Sequence, residues 1–139
     1  MSEESTTPEL VELVRRVFDA LNSRDLNALS HLYSPDVVYR PQPSFTDTQE
    51  RRGRDELRRF VAGYFEAWAD DFTYHPETVR VYGDAVIARV SFTGHARVSG
   101  VEVSGRLFNV FQFHDGLVTR IEDFVDREDA LKAVGLADG

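Results

Sequence analysis

The sequence predicts an α+β domain in which helices pack on one face of a curved antiparallel sheet. In the first half of the chain, apolar residues recur at three- and four-residue steps, as on one side of a helix. From Phe72 onward they recur at every second residue, as on one side of a strand, and glycine-containing turns separate the runs. The order ααβα followed by ββββα is typical of this class.

The first helix is predicted to begin at Pro8, because proline suits the first helical turn, and its apolar stripe runs on to Leu21. Asp25 can cap a second, short helix that ends at the Ser34-Pro35 pair. Two helices are therefore expected to open the domain.

A short β-prone run at 37–39 comes next, and the polar stretch 44–50 is expected to form a mobile loop. Gly53 ends that loop, and helical spacing returns over about 54–69. The third helix predicted there has an unusually aromatic face, which includes Tyr64 and Trp68.

Four β-prone runs follow, at 78–82, 85–98, 101–113 and 117–125. The short segments between them are hairpin signals, so the runs are predicted to form an antiparallel meander. Asp126 then begins a short C-terminal helix that stops at Gly135.

Length and composition favour one globular domain over residues 1–139, with 1–7 as a disordered tail. The chain has 139 residues, of which 42% are hydrophobic, enough for a core. Zero cysteines exclude disulfides, thiolate metal sites and a cysteine nucleophile. The histidines lack metal-ligand spacing and no glycine-rich phosphate loop is present, so we expect no metal and no cofactor.

The charge of the chain argues against two kinds of partner. Its formal net charge of −8 repels phosphate backbones and anionic membranes, so neither nucleic acid nor a membrane surface is expected to bind. There is no apolar run of about 20 residues, and the N-terminus is acidic rather than basic and then apolar. A cytoplasmic protein is therefore expected.

Asp123 and Asn109 stand out as polar residues on apolar strand faces. If Asp123 points inward, strand alternation predicts that Ile121 does too, together with Leu117, Thr119 and Val125, whereas Val118 points outward. A carboxylate buried there would have a raised pKa suited to proton transfer near neutral pH. The alternative is a solvated aspartate near the end of its strand, or one that caps the following turn.

Other polar and aromatic residues have two interpretations each. Arg89 is either an inward counter-charge or an outward surface arginine. Tyr64 and Trp68 are core or cavity wall. Five arginines between 51 and 59 either attract an acidic ligand or pair with Asp55 and Glu56 on a solvated helix start.

Several segments carry a resemblance to the SnoaL-like group of the nuclear transport factor 2-like superfamily. They are the succession at 20–26, the run at 33–39, the Gly-Arg-Asp-Glu-Leu at 53–57, and the stretch from Asp115-Gly116 to Asp123-Phe124-Val125-Asp126. The resemblance implies a cone-shaped, cystatin-like fold with a curved sheet around N-terminal helices. It does not by itself imply one function, because the superfamily holds polyketide cyclases, ketosteroid isomerase, limonene epoxide hydrolase and non-catalytic binders.

The catalytic residues of these relatives carry over only in part. Those of ketosteroid isomerase would fall on Pro41, Val17 and Asn109, and a proline cannot take a proton, so that mechanism is close to excluded. Limonene epoxide hydrolase matches better, with its water-activating aspartate on Asp123, its arginine on Arg89 and its tyrosine on Tyr39. Its second aspartate and its asparagine fall on Ser91 and Pro41, which lack that chemistry. The catalytic aspartate of aldol-closing polyketide cyclases also matches Asp123.

Two functions from different classes follow from this resemblance. The first is a cofactor-independent acid/base enzyme of cyclase, isomerase or hydrolase type, acting on a small hydrophobic oxygenated molecule, with Asp123 and Arg89 as catalytic residues. Substrate contacts are then expected from five side chains: Tyr39, Asn109, Tyr64, Trp68 and Phe111. The second is a non-catalytic binding or assembly module of the same fold.

A homodimer through the sheet is expected in either case. Alternation places a set of apolar residues on the outward face of the sheet, too many to leave in water. The set includes Val90, Phe92, Val110 and Phe124.

Overall fold

A computed structural model describes residues 7–41 and 49–135 of the chain. In chain order the elements are α1 (Thr7–Ser23), α2 (Leu26–Leu32), β1 (Tyr33–Arg40), β2 (Arg51–Arg52), α3 (Arg54–Ala67), β3 (Thr73–Tyr82), β4 (Ala85–His95), β5 (Glu102–His114), β6 (Leu117–Phe124) and α4 (Arg127–Ala133). The predicted α+β class is confirmed, and the six strands form one curved, unclosed sheet.

The helices lie where the apolar periodicity predicts them. Asp25 caps α2, since its side chain accepts a hydrogen bond from the backbone N–H of Ala28 at 3.0 Å. The predicted tail at 1–7 lies outside the described residues, except that Thr7 begins α1. The predicted mobile loop at 44–50 lies outside them too, apart from its last two residues.

The sheet is mixed, with strand order β2-β1-β6-β5-β4-β3. Strands β3 to β6 form the predicted antiparallel meander, and β1 adds to it in parallel with β6. Two strands begin earlier than predicted, β1 at Tyr33 and β3 at Thr73. Strand β3 continues through Pro76 because it is an edge strand, where a proline removes no needed ladder hydrogen bond.

A bulge in β6 corrects the predicted alternation at the start of that strand. The partner of Gln112 is Arg120, but the partner of Phe113 is Val118, so Thr119 is an extra residue. Val118 is predicted to point outward, but the bulge reverses the direction of its side chain, which lies in the main core and is 1% exposed. Ile121 and Asp123, beyond the bulge, keep the inward direction predicted for them.

The inner face of the sheet packs on α1 and α3, and α4 covers part of the outer face. Residues buried on the inner face include Val86, Ala88, Val90, Leu107 and Phe111. On the outer face a smaller cluster joins Ile87, Val110 and Phe124 to Ala130 of α4. No helix in the part of the chain that the structure describes is both long and apolar enough to cross a bilayer.

The apolar outward face expected for dimerisation is not formed by the residues named for it. Val90 and Phe92 belong to the main core on the inner side, and Val110 and Phe124 lie against the α4 cluster. Other outward residues of β4 and β5 are charged, such as Arg89 and Arg106. The homodimer stays a prediction without this argument, and sedimentation would test it.

Candidate active site

A cavity of about 830 Å³ lies between the inner face of the sheet and helices α1 and α3. Helix α1 contributes Val17 and Phe18, α3 contributes Tyr64, and the sheet contributes Leu107 and Phe111. The lining also includes exposed residues such as Arg59 and Ser104, so the cavity reaches the protein surface. Its size and apolar lining are typical of a site for a small organic molecule.

One wall of the cavity is a continuous series of aromatic rings. Successive ring centroids are 5.4 Å apart for Tyr39 and Phe60, 5.2 Å for Phe60 and Tyr64, and 6.3 Å for Tyr64 and Trp68. Trp68 then stacks on Phe72 at 5.1 Å. Tyr64 and Trp68 are therefore cavity wall, and such a wall suits a flat, apolar ligand.

Two arginines hold the end of this wall in place. Arg24 donates hydrogen bonds to the carbonyl oxygens of Phe65 and Trp68, and Arg97 donates to Glu66 and Trp68. These are carbonyl groups at the C-terminus of α3, which lack partners within the helix. The arginines therefore fix the α3 terminus and the backbone that carries the Trp68 ring.

Asp123 lies at the inner end of the cavity and is 6% exposed. Its Oδ2 accepts a hydrogen bond from the Tyr39 hydroxyl, and its Oδ1 accepts one from the Asn109 amide. Parallel pairing places Tyr39 beside Ile121, and antiparallel pairing places Asn109 directly opposite Asp123. Three strands thus bring together three of the predicted site residues.

Burial raises the pKa of Asp123 from 3.8 to about 6. That value is the net result, because the hydrogen bonds from Tyr39 and Asn109 offset part of the rise in pKa and the charge of Glu122 adds to it. Burial also raises the pKa of Tyr39 well above its usual range, so its hydroxyl stays protonated and donates. Near pH 7 Asp123 is therefore mostly ionised, and each of its oxygens keeps lone pairs free to accept a proton.

Arg89 is not part of this site, which corrects its expected place beside Asp123. It pairs with Phe108, which lies against the outer α4 cluster, whereas its chain neighbours Ala88 and Val90 are buried in the inner core. Its Nε lies 3.3 Å from Glu77 Oε1 on the outer face. The sheet therefore separates Arg89 from Asp123.

The prediction missed two tyrosines that line the cavity, Tyr33 and Tyr74. Burial and the charge of Asp123 raise the pKa of both hydroxyls, so both stay neutral. The predicted second helix extends to the Ser34-Pro35 pair and so includes Tyr33, and Tyr74 lies before the predicted start of β3. The β-prone residues ahead of Pro76 were a usable signal for Tyr74, because proline is tolerated in an edge strand.

No metal site is evident in residues 7–41 and 49–135, where no group of three or more His, Asp or Glu side chains could hold an ion. His95 instead pairs with Asp71, and His114 lies near Asp115.

The arginines of the 51–59 run mostly have protein partners: Arg54 donates to the Tyr33 carbonyl, and Arg58 donates to Ser30.

Replacing Tyr39 with Phe is expected to raise the pKa of Asp123 above about 6, since the lost hydrogen bond lowers it. A raised carboxyl pKa stabilises the fold at low pH, and this contribution is lost as pH rises through the folded-state pKa. Two differences in unfolding free energy are compared across pH: parent against Asp123→Asn, and Tyr39→Phe against the double variant Tyr39→Phe/Asp123→Asn. The second difference should change with pH around a higher midpoint than the first. An unchanged midpoint would contradict this prediction, and Tyr82→Phe on the outer face is the control.

Comparisons with known proteins identify the family. The family model described as SnoaL-like domain matches residues 14–121. A search of curated proteins finds no match.

Solved structures share the fold along most of the chain. A putative SnoaL-like polyketide cyclase from Jannaschia sp. CCS1 is 21% identical, with 99% of this chain and 100% of that one covered and a TM-score of 0.76. An LEH-like epoxide hydrolase from M. tuberculosis is 20% identical, with 92% and 90% covered and a TM-score of 0.73. An uncharacterized cystatin fold protein from Novosphingobium aromaticivorans is 18% identical, with 83% and 97% covered and a TM-score of 0.72. The predicted cystatin-like fold is thereby confirmed, and the chain belongs to the SnoaL-like domain family.

Proposed function

We propose that the protein is a cofactor-independent acid/base enzyme that acts on a small, hydrophobic, oxygenated molecule in the main cavity. The observation that carries this proposal is the buried Asp123 carboxylate at the inner end of the cavity, with a pKa of about 6. A base of that pKa is mostly ionised at neutral pH yet basic enough to take a proton. Tyr39 and Asn109 orient it and leave its outer lone pairs for the substrate.

The reaction class that fits best is proton abstraction from carbon next to a carbonyl group, as in an aldol-type cyclisation. Asp123 is the sole carboxylic acid among the described residues that line the cavity. One carboxyl group can remove a proton and later return it, whereas the family mechanism for opening an epoxide needs a second acid. Arg89 and Ser91, which match the arginine and the second acid of that mechanism, belong to the outer face.

The substrate supported by the lining is flat and largely apolar. Its rings would lie along the wall formed by Phe60, Tyr64 and Trp68, with Phe111 on the sheet side. The tyrosine hydroxyls of Tyr33 and Tyr74 supply hydrogen-bond donors for its oxygens. The hydroxyls of Tyr33 and Tyr74 keep their protons, so they can donate hydrogen bonds to the negative charge that develops on the substrate when its proton leaves.

A chromogenic carbon acid tests this proposal without knowledge of the natural substrate. In 5-nitrobenzisoxazole, a base removes the ring C–H proton, a nitrile forms, the N–O bond breaks and a coloured phenolate is released. We expect a saturable rate that increases with pH and levels off above an apparent pKa of about 6. A rate that equals the buffer background, with saturable binding of the same compound, would instead support the binding-module alternative.

A further inference from the structure

A second cavity, of about 150 Å³, lies on the outer face of the sheet beside α4. Its floor is apolar and consists of Ile87, Phe108 and Leu131. Three arginines surround that floor, one each from β3, β4 and α4: Arg80, Arg89 and Arg127. The sheet separates this cavity from Asp123 and the main cavity, so nothing below depends on the function proposed above.

The register of the outer face explains why these side chains converge. Arg80 pairs with Ile87, and Thr78 pairs with Arg89, so alternate residues of β3 face the same side as the outward residues of β4. Helix α4 crosses beside them and brings Arg127 and Leu131 to the same place. The hydroxyl-bearing residues Thr78 and Tyr82 complete the lining.

The charges around this cavity are not balanced within the described part of the protein. Arg89 contacts Glu77, but that carboxylate also holds Arg106 at 2.9 Å and does not line the cavity. Neither the Arg80 side chain nor the Arg127 side chain makes a hydrogen bond or ion pair with another described residue. Three guanidinium groups around a cavity whose described lining holds no carboxylate are a notable concentration in a chain of net charge −8.

We propose that this outer cavity binds a small organic carboxylate of about the size of benzoate. Guanidinium groups match carboxylates in shape and charge, so Arg80 and Arg127 would hold the anionic end. The apolar end would lie on Ile87 and Phe108. Size agrees with this class, because a volume of about 150 Å³ is large enough for a benzene ring, and Ile87, Phe108 and Leu131 supply an apolar surface for it.

Calorimetric titration with sodium benzoate at constant ionic strength tests the proposal. We expect saturable binding of one equivalent, and at least tenfold weaker binding of benzamide, which has the same shape without the charge. Trp68, the chain's one tryptophan, lines the main cavity and reports on that site. Its fluorescence should not change when benzoate occupies the outer cavity.

Arg80→Gln and Arg127→Gln should each weaken benzoate binding at least tenfold, and since both side chains are exposed, both variants should melt like the parent. Arg15→Gln, on the exposed side of α1, changes the net charge equally and should bind as the parent does. Absence of saturable binding to the parent would overturn the proposal. So would benzoate that alters Trp68 fluorescence and binds both arginine variants with the affinity of the parent.

Discussion

Asp123→Asn is expected to slow proton abstraction from a carbon acid in the main cavity by about 10²–10⁴-fold, the usual contribution of a positioned general base. The amide keeps the shape of the carboxyl group, its oxygen can still accept the hydrogen bond from Tyr39, and its NH2 can donate to Asn109 once the Asn109 amide turns over, but it cannot accept a proton near neutral pH. The loss should therefore appear in the rate constant at saturation, with little change in binding. The measurement is the initial rate with 5-nitrobenzisoxazole over pH 5 to 8.

The same substitution is expected to stabilise the protein at high pH. Raising the pKa of Asp123 from 3.8 to about 6 means that the ionised form costs about 3 kcal/mol in the folded state. That cost is present above the folded pKa and absent below the unfolded value. Asp123→Asn should thus melt higher than the parent at pH 8, by roughly 10 °C, and by a much smaller margin near pH 4.

Asp19→Asn is the matched control, because Asp19 is exposed on α1 and the same atoms change. It should alter neither the rate nor the pH dependence of melting. An Asp123→Asn variant that melts well below the parent at pH 8 would identify Asp123 as a structural residue. That result would move the protein to the class of binding modules.

Gly94→Ala is expected to destabilise the protein by about 3 kcal/mol. A Cβ atom at position 94 would lie 2.5 Å from the Cα of Phe72, and a backbone atom cannot turn aside as a flexible side chain can. The segment that carries Phe72 is also tied to β4, because the Ala69 N–H donates to the His95 carbonyl at 2.8 Å. Relief of the clash would have to break this connection, with a fall in melting temperature of roughly 10 °C.

Gly63→Ala is the control for this change, since no heavy atom lies within 4 Å of the added Cβ and the residue is in α3. Alanine in a helix interior is favoured over glycine by up to about 1 kcal/mol, so this variant should melt slightly higher than the parent. Thermal melts monitored by circular dichroism compare the two. Equal melting of Gly94→Ala and the parent would show that the Phe72 segment can move away from β4 at little cost.

The helices, the meander and the inward side of β5 can be predicted from the sequence alone. These follow from local rules: a capping Asp25, apolar stripes of helical period, and turns such as Asp115-Gly116, where both residues have positive φ. In β5, the alternate residues on the same side as Asn109 are apolar, so alternation alone identifies that side as the inner face of the strand. The importance of Asp123 followed from that alternation and from the family resemblance together.

The faces of β4 and the start of β6 depend instead on tertiary packing. Strand β4 is apolar on both sides, because α4 covers Ile87 and the main core covers Val86 and Ala88. The alternation of its residues therefore does not show which side faces inward. The register of β4 with β5 decides which side faces inward, and it places Arg89 on the outward side. The bulge at Thr119 likewise depends on how β6 meets β5.

The site itself is also a product of long-range pairing. Tyr39 and Asp123 are 84 residues apart, and they meet because β1 joins β6 in parallel, a pairing that no hairpin signal encodes. The cavity depends on how α1 and α3 lie over the sheet, which contacts distant in sequence determine. Residue patterns report local periodicity and burial, whereas the packing of whole elements fixes which buried faces meet, and here that packing placed Asp123 at the inner end of a cavity.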